Sequence, residues 1–314
     1  MKLAIIGAGA AGSVFACYLK KGGADDITLV DLNQEHMEKV AADGMDFSNP
    51  DGEFHLTGFK TATRVDTIGV MDIVILMVKS TVTEKVLAAD KACIGPDTVV
   101  CTLQNGLGNE ENVRKVVPAN RILYGCGNMG TELTRPGACL ARPFPGQNMF
   151  FGALERNALT DRAGNYLETC FKAGGLNPKY YDDVRPLVWK KALSNSGYNT
   201  VCTVLRMKVK DVYDDPNGVK LVWDIWHEGS NVAEAMGIPG LWEVMQKEME
   251  PTVRGLGYYY PSMTQDLQHK RQTEVDSLVG TLSRYGKQTG VPTPTCDVIT
   301  TIIKAIQANY DKMF

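Results

Sequence analysis

Residues 2–15 read Lys2-Leu3-Ala4-Ile5-Ile6-Gly7-Ala8-Gly9-Ala10-Ala11-Gly12-Ser13-Val14-Phe15. A short apolar run stops at Gly7, and three glycines follow in the spacing Gly-x-Gly-x-x-Gly. A helical pattern then runs from Ala10 to Lys20, with Val14, Phe15, Tyr18 and Leu19 on its apolar side. A second apolar run, Ile27-Thr28-Leu29-Val30, ends in Asp31, 19 residues after Gly12. Strand, glycine-rich turn, helix, strand and acid in that order are the signature of a dinucleotide-binding unit. The first glycine makes the tight turn, the second lets the backbone approach a pyrophosphate, and the third lets the helix pack close to its strand. The pyrophosphate rests on the helix N-terminus, where unpaired N–H groups and the helix dipole favour an anion. The expected cofactor contacts are Gly7, Ala8, Gly9, Ala10, Ala11, Gly12 and Asp31. The same stretch, with Lys2 before an apolar run, could pass for a secretory leader. The glycine spacing and the acid after the second strand select the buried strand instead.

Asp31 also bears on which dinucleotide is bound. A carboxylate at the end of the second strand can accept both ribose hydroxyls of an adenosine. A 2′-phosphate about 4 Å away would be opposed by about 4 kcal/mol at an effective dielectric near 20. No Lys or Arg follows directly (Leu32, Asn33, Gln34) to offset that repulsion. NAD, as NADH, is therefore expected over NADP, with NADP allowed. The alternative role for Asp31 is an N-cap of the helix at 35–42, and the two roles can coexist.

Working outward, strand and helix continue to alternate. Residues 72–78 and 99–103 read as buried strands, and 81–89 as a helix. In open α/β sheets ligands bind beyond the carboxyl ends of strands. Lys79 and Asn105 stand at two such ends, where each is read either as a ligand or as an ordinary loop residue. From about residue 183 the pattern becomes helical, with helical periodicity recurring over 276–285 and 297–308 and with Pro292 and Pro294 marking the start of the last helix. In the first of these helical stretches, Lys191, Asn195 and Asn199 recur in steps of four. They share one helix face over about 12 Å, together with apolar Val188. A cation and two amides there either bind a ligand or cap neighbouring loops. Ser262 and Glu274 are read as a helix cap and a first-turn acid, or as site residues.

A length of 314 residues suits two domains, and glycine is enriched at 31 residues, 18 of them at or before Gly152. All four tryptophans lie in the second half, so the halves differ in architecture. The boundaries expected are 1–182 for the nucleotide half and 183–314 for the helical half. A net charge of −3 without a dense basic run argues against nucleic acid. No apolar run reaches the ~18 residues of a membrane span. Eight cysteines without a Cys-x-x-Cys pair or a disulfide framework fit unpaired thiols in a reducing cytoplasm. His36, His55, His227 and His269 lack ligand spacing, so no metal site is expected. The aromatic stretch from Trp223 to Trp242 is read as helix core or as the face of a homodimer.

Taken together, the motifs resemble the ketopantoate reductase (2-dehydropantoate 2-reductase) family over nearly the whole chain. The resemblance rests on Gly7-x-Gly9-Ala10-x-Gly12, Val78-Lys79, Leu103-Gln104-Asn105-Gly106-Leu107-Gly108 and Trp189-Lys190-Lys191-x-x-x-Asn195-x-x-x-Asn199. It extends through Pro261-Ser262-Met263-x-Gln265-Asp266 to Arg271-x-Thr273-Glu274. It implies an α/β fold: an N-terminal Rossmann domain and a C-terminal all-helical domain of the 6-phosphogluconate dehydrogenase C-terminal-like type. It also implies hydride transfer to the C2 ketone of a small 2-oxo acid, with Lys191 as general acid and Glu274 as its acidic partner. Asn105 and Lys79 would lie near nicotinamide and substrate, while Asn195, Asn199 and Ser262 would hold the substrate's hydroxyl and carboxylate. The chain departs from the family pattern at Asp31, at Thr200-Val201-Cys202-Thr203 where a proline usually follows the last asparagine, and at Tyr260-Pro261. Those departures are more similar to the NAD-dependent D-2-hydroxyacid (D-mandelate-type) dehydrogenase branch, which acts on branched or aromatic 2-oxo acids. A non-catalytic NAD sensor is the reading from another class, and the presence of both the lysine and the glutamate argues against it.

Overall fold

The computed structural model describes residues 1–89 and 91–312. They form two compact units, Met1–Gln104 with Asn109–Val184, and Asn105–Gly108 with Arg185–Phe314.

The first unit begins β1 (Leu3–Ile6), α1 (Ala10–Lys21), β2 (Ile27–Val30), α2 (Gln34–Asp43), β3 (Met45–Asn49), β4 (Gly52–Leu56) and β5 (Lys60–Ala62). It continues β6 (Met71–Leu76), α3 (Thr83–Ala89), β7 (Ile94–Thr102), α4 (Asn109–Arg114) and β8 (Ile122–Gly127). It closes with β9 (Met129–Arg135), β10 (Ala138–Pro143), β11 (Met149–Ala153), α5 (Ala158–Gly174) and β12 (Pro178–Tyr181). Eight strands make one sheet in the order β12-β11-β8-β7-β6-β1-β2-β5, parallel except between β8 and β11. The chain runs outward from β1 to β2 and returns on the other side of β1 at β6. The turn after β1 therefore sits at the topological switch point, where open parallel sheets bind ligands.

The expected amphipathic helix after the glycines is buried on every side from Gly12 to Leu19. The reason is a second sheet, β4-β3-β10-β9, which covers α1 from the side away from the main sheet. Phe15 meets Phe171 of α5 edge-on at 5.9 Å, and Tyr18 meets Phe47 of β3 at 4.9 Å. Helix α2 is capped by Asn33, whose side chain accepts from the His36 N–H at 3.1 Å. The cap reading of Asp31 is thereby corrected: Asp31 instead accepts from the Asn33 N–H at 2.9 Å and shapes the turn before the cap.

The second unit holds α6 (Arg185–Leu205), α7 (Val209–Asp214), α8 (Pro216–Ala235), α9 (Leu241–Val244), α10 (Glu250–Arg254), α11 (Ser262–Gln268), α12 (Val279–Thr289) and α13 (Pro294–Gln307). Helix α12 starts later than its hydrophobic period suggests, because Val275–Ser277 forms a separate 3-10 turn. Helix α6 is the axis of the unit, buried without interruption from Ala192 to Thr203. It packs on α8, where fully buried Trp226 lies over Gly197 and Trp189 stacks on Tyr285 of α12 at 5.8 Å. In the aromatic stretch Trp226 is core, while Trp223 and Trp242 are half-buried and meet at 5.4 Å. The last helix is fastened from below: the buried carboxylate of Glu228 on α8 accepts the N–H groups of Thr295 and Cys296, at 2.8 and 2.9 Å.

A Cβ on Gly197 would lie 2.2 Å from the indole nitrogen of Trp226, which has no room to withdraw. Gly197→Ala should destabilise the protein by about 1–3 kcal/mol through overpacking and lower Tm by roughly 2–8 °C. An unchanged Tm in calorimetry would mean that the two helices do not pack as described.

Candidate active site

In the first unit the three glycines of the turn stand in different steric surroundings. Gly7 has φ +95°, and a Cβ there would lie 2.4 Å from the Val78 nitrogen. A Cβ on Gly12 would lie 2.0 Å from the Gly7 carbonyl oxygen, so only glycine lets α1 come this close to β1. Above Gly9 a Cβ would meet nothing within 4 Å. That space is the cradle a pyrophosphate needs, beside the N-terminus of a 12-residue helix whose first N–H groups have no helical partner. The turn is hung from β2 by the Gly7 and Ala8 N–H groups, which donate to the Val30 carbonyl at 2.8 and 3.2 Å.

The close approach of Gly7 to Met77–Val78 also brings the half-buried Lys79 to the same edge of the sheet. Gln104, to which no role was given from sequence, fixes that segment. Its amide donates to the Val78 carbonyl at 2.6 Å and to Thr83 Oγ1 at 2.7 Å, and accepts from Thr102 Oγ1 at 2.8 Å. A buried glutamine at the end of β7 thus sets the turn that carries Lys79. Asp31 is half-buried beyond β2, and its second carboxylate oxygen has no protein partner among the described residues.

In the second unit Lys191, Asn195 and Asn199 occupy one face of α6, Lys191 half-buried and the two asparagines buried. The neighbouring Lys190 is engaged elsewhere, with Glu248. Asn195 Oδ1 accepts from the Tyr198 hydroxyl at 3.0 Å. Burial pushes the Tyr198 phenol well above its ordinary range, and the adjacent Tyr259 adds to this, so Tyr198 remains a donor. The Asn195 amide hydrogens have no protein partner among the described residues, which leaves an unengaged donor pair on a largely buried residue one helical turn from Lys191. Asn199 Oδ1 accepts the Met263 N–H at 3.2 Å, and its amide reaches Ser262 Oγ at 3.4 Å. Asn199 is therefore a cap as well as a site candidate: it seats the first turn of α11 and brings Ser262 to the α6 face. The cap reading of Ser262 is corrected accordingly. It is the first residue of α11, exposed, and its side chain caps nothing.

Glu274 is half-buried at the start of the 3-10 turn Val275–Ser277. Its carbonyl accepts from the Ser277 N–H and hydroxyl at 3.1 and 3.0 Å. The preceding Thr273 is held by Gln307 of α13, and Arg271 closes on buried Asp266 at 3.0 Å. Ser277 in turn receives the Asn105–Gly108 loop: its carbonyl accepts the Leu107 N–H at 2.8 Å, and a Cβ on Gly106 would lie 2.4 Å from that same oxygen. This unit thus brings the loop of exposed Asn105 onto the turn of Glu274, and Ser262 onto Asn199. Among the described residues no group of three or more His, Cys, Asp or Glu could hold a metal ion, and no helix is long and apolar enough to cross a membrane.

A Rossmann sheet with an open phosphate turn, joined in one chain to a helical domain presenting a lysine and two buried amides, defines a pyridine-nucleotide-dependent oxidoreductase acting on CH–OH groups. The family model described as ketopantoate reductase PanE/ApbA matches residues 3–155, and its C-terminal counterpart matches residues 183–307. The chain belongs to the ketopantoate reductase family. It is 31% identical to the 2-dehydropantoate 2-reductase of Lactococcus lactis subsp. lactis, over 96% of this chain and 97% of that protein. It is 29% identical to the enzyme of that name from Streptococcus pyogenes, over 98% of both. Among solved structures it is similar to D-mandelate dehydrogenase with NADH and anilino(oxo)acetate (TM-score 0.87, 30% identity, 99% of both chains). It is also similar to a 2-dehydropantoate 2-reductase from Geobacter metallireducens (TM-score 0.88, 25% identity, 97% of this chain and 99% of that one).

The Asn199 cap generates a stability test. Asn199→Ala should destabilise by about 1–2 kcal/mol in urea unfolding, because a buried N–H loses its acceptor. Ser262→Ala, which leaves the cap intact, should change stability by less than about 0.5 kcal/mol. Equal losses in both variants would refute the division of roles.

Proposed function

We propose that this protein reduces 2-dehydropantoate to pantoate, using NADH in preference to NADPH. The observation that carries the substrate assignment is the near full-length match to proteins named 2-dehydropantoate 2-reductase. In this reading residues 1–182 serve as the nucleotide-binding domain and 183–314 as the catalytic domain. A bound reduced nicotinamide supplies the hydride. Gly7, Ala8, Gly9, Ala10, Ala11 and Gly12 hold the pyrophosphate, and the free oxygen of Asp31 takes the adenosine ribose hydroxyls. Lys79 and Asn105 orient the reacting ends.

On the substrate, the Lys191 ammonium sits against the C2 ketone oxygen. As hydride reaches C2, negative charge collects on that oxygen, and Lys191 first stabilises it and then donates its proton. The neutral amine so formed recovers a proton from solvent. Glu274 orients the lysine or the nucleotide ribose. The donor pair of Asn195, with Asn199 and Ser262, holds the substrate's hydroxyl and carboxylate. A cytoplasmic site of action fits eight buried cysteines without a disulfide; the pair in closest contact, Cys17 and Cys139, stands at a thiol hydrogen-bond distance of 3.7 Å.

Two measurements test the reading. In a panel of 2-oxo acids run with both nucleotides, 2-dehydropantoate with NADH should give the highest kcat/KM, and NADH should exceed NADPH by about a hundredfold, given the ~4 kcal/mol repulsion discounted for solvent screening. A preference for NADPH would refute the role given to Asp31. Turnover of phenylglyoxylate or 2-oxoisocaproate with none of 2-dehydropantoate would move the substrate to the D-2-hydroxyacid class. Separately, Lys191→Met should lower kcat by about a thousandfold, a typical general-acid contribution, while nucleotide Kd stays within about twofold. Retained turnover in this variant would remove Lys191 from the chemistry.

A further inference from the structure

From spacing, His36 is a candidate only for a metal ligand, and it lacks the pattern of one. In the structure it is fully buried at the start of α2, beneath the glycine-rich turn. Its Nδ1 faces the Gly137 N–H at 2.9 Å, and its Nε2 faces Ser13 Oγ at 3.1 Å. Ser13, also fully buried, donates its hydroxyl to the Ala8 carbonyl at 2.8 Å.

The direction of this chain is fixed by its ends. A backbone N–H can only donate, so Nδ1 is an acceptor and the ring hydrogen lies on Nε2. Nε2–H therefore donates to Ser13, and Ser13 donates to Ala8. Burial holds the His36 pKa below its ordinary value, against the pull of the Asp31 carboxylate and the Ala8 carbonyl in the opposite direction. Lys39 lies beside Gly137 and is paired with Asp43 at 2.6 Å. A second proton would sit on Nδ1, facing the Gly137 N–H, and would break the chain at its first link.

The consequence reaches the ligand side of the turn through peptide planarity. In a trans peptide the N–H points opposite to the C=O. With the Ala8 carbonyl held inward by Ser13, the Gly9 N–H of the same peptide is turned outward, toward the space that a Cβ on Gly9 would find open to 4 Å. That N–H has no backbone or side-chain partner among the described residues. We propose that His36 and Ser13 are positioning residues for the dinucleotide, a buried relay from Gly137 that locks the Ala8–Gly9 peptide with its N–H aimed at the pyrophosphate. The inference rests on the nucleotide reading of the turn.

Direct titration of NADH and NADPH into the unmodified chain, Ser13→Ala, His36→Leu and the double variant tests it. Ser13→Ala should weaken nucleotide Kd by about tenfold, the size of one lost positioned hydrogen bond, with kcat at saturating nucleotide within about twofold. The double variant should bind no worse than the weaker single variant, because both break one chain. Losses that add would overturn the relay. So would a Ser13→Ala variant with unchanged Kd and only a lower Tm. That variant removes a single hydroxyl, so it decides the matter even if His36→Leu does not fold. If the unmodified chain binds neither nucleotide, the nucleotide reading falls and takes the relay with it.

Discussion

The nucleotide-binding unit depends on how closely three stretches of backbone approach one another. Gly7 lies against Met77–Val78, and Gly12 lies against Gly7, at separations that leave no room for a side chain at either glycine. Those two contacts bring the ends of β1 and β6 and the start of α1 to one point at the switch in strand order. The open space above Gly9, the placement of Lys79 and the bracing by Gln104 all follow from that convergence. Larger residues at these two positions would shift α1, a helix already enclosed by two sheets and α5, so the distortion could not remain local.

The helical unit solves a different problem, that of keeping polar groups inside a packed core. Asn199 satisfies a helix N-terminus while bringing Ser262 to its own face of α6. Asn195 is supported by a tyrosine that stays protonated. Glu274 stands on a turn braced by Gln307, Arg271 and Ser277. In each case the candidate functional group is oriented by a neighbour that answers an unpaired backbone or side-chain group. Burying such groups without partners would cost on the order of 1–3 kcal/mol each. Cap and ligand were alternatives when read from spacing alone; for Asn199 the structure shows the cap.

What the sequence disclosed follows the same physics. Gly7, Gly9 and Gly12 were legible because of their fixed spacing between a strand and a helix, and the steps of four from Lys191 to Asn199 because a helix repeats every 3.6 residues. The small sheet was not legible: β3 reads Met45-Asp46-Phe47-Ser48-Asn49 with little period and pairs with β10, about 90 residues away. His36 was not legible as a brace because its partners, Ser13 and Gly137, stand 23 and 101 residues from it. Gln104 lay inside a recognised motif, yet its bonds run back to Val78 and Thr83. The start of α12 at Val279 and not at Asp276 was not legible, because Val275–Ser277 turns aside to hold the Asn105 loop. Local constraints are written in neighbouring residues, whereas long-range ones appear only when the chain is folded.

The Glu228 carboxylate beneath α13 has a consequence for the chain's last helix. Its two hydrogen bonds among the described residues both come from the first turn of that helix. If α13 peeled away, it would strand an acid in the interior of α8, so fraying at that end is opposed by electrostatics as well as by lost apolar contact. The C-terminal segment thus behaves as part of the core in thermodynamic terms. A chain cut before Pro294 would leave Glu228 without its two donors and would have to admit water around it, which would loosen the packing of α8 on the helix that carries Lys191.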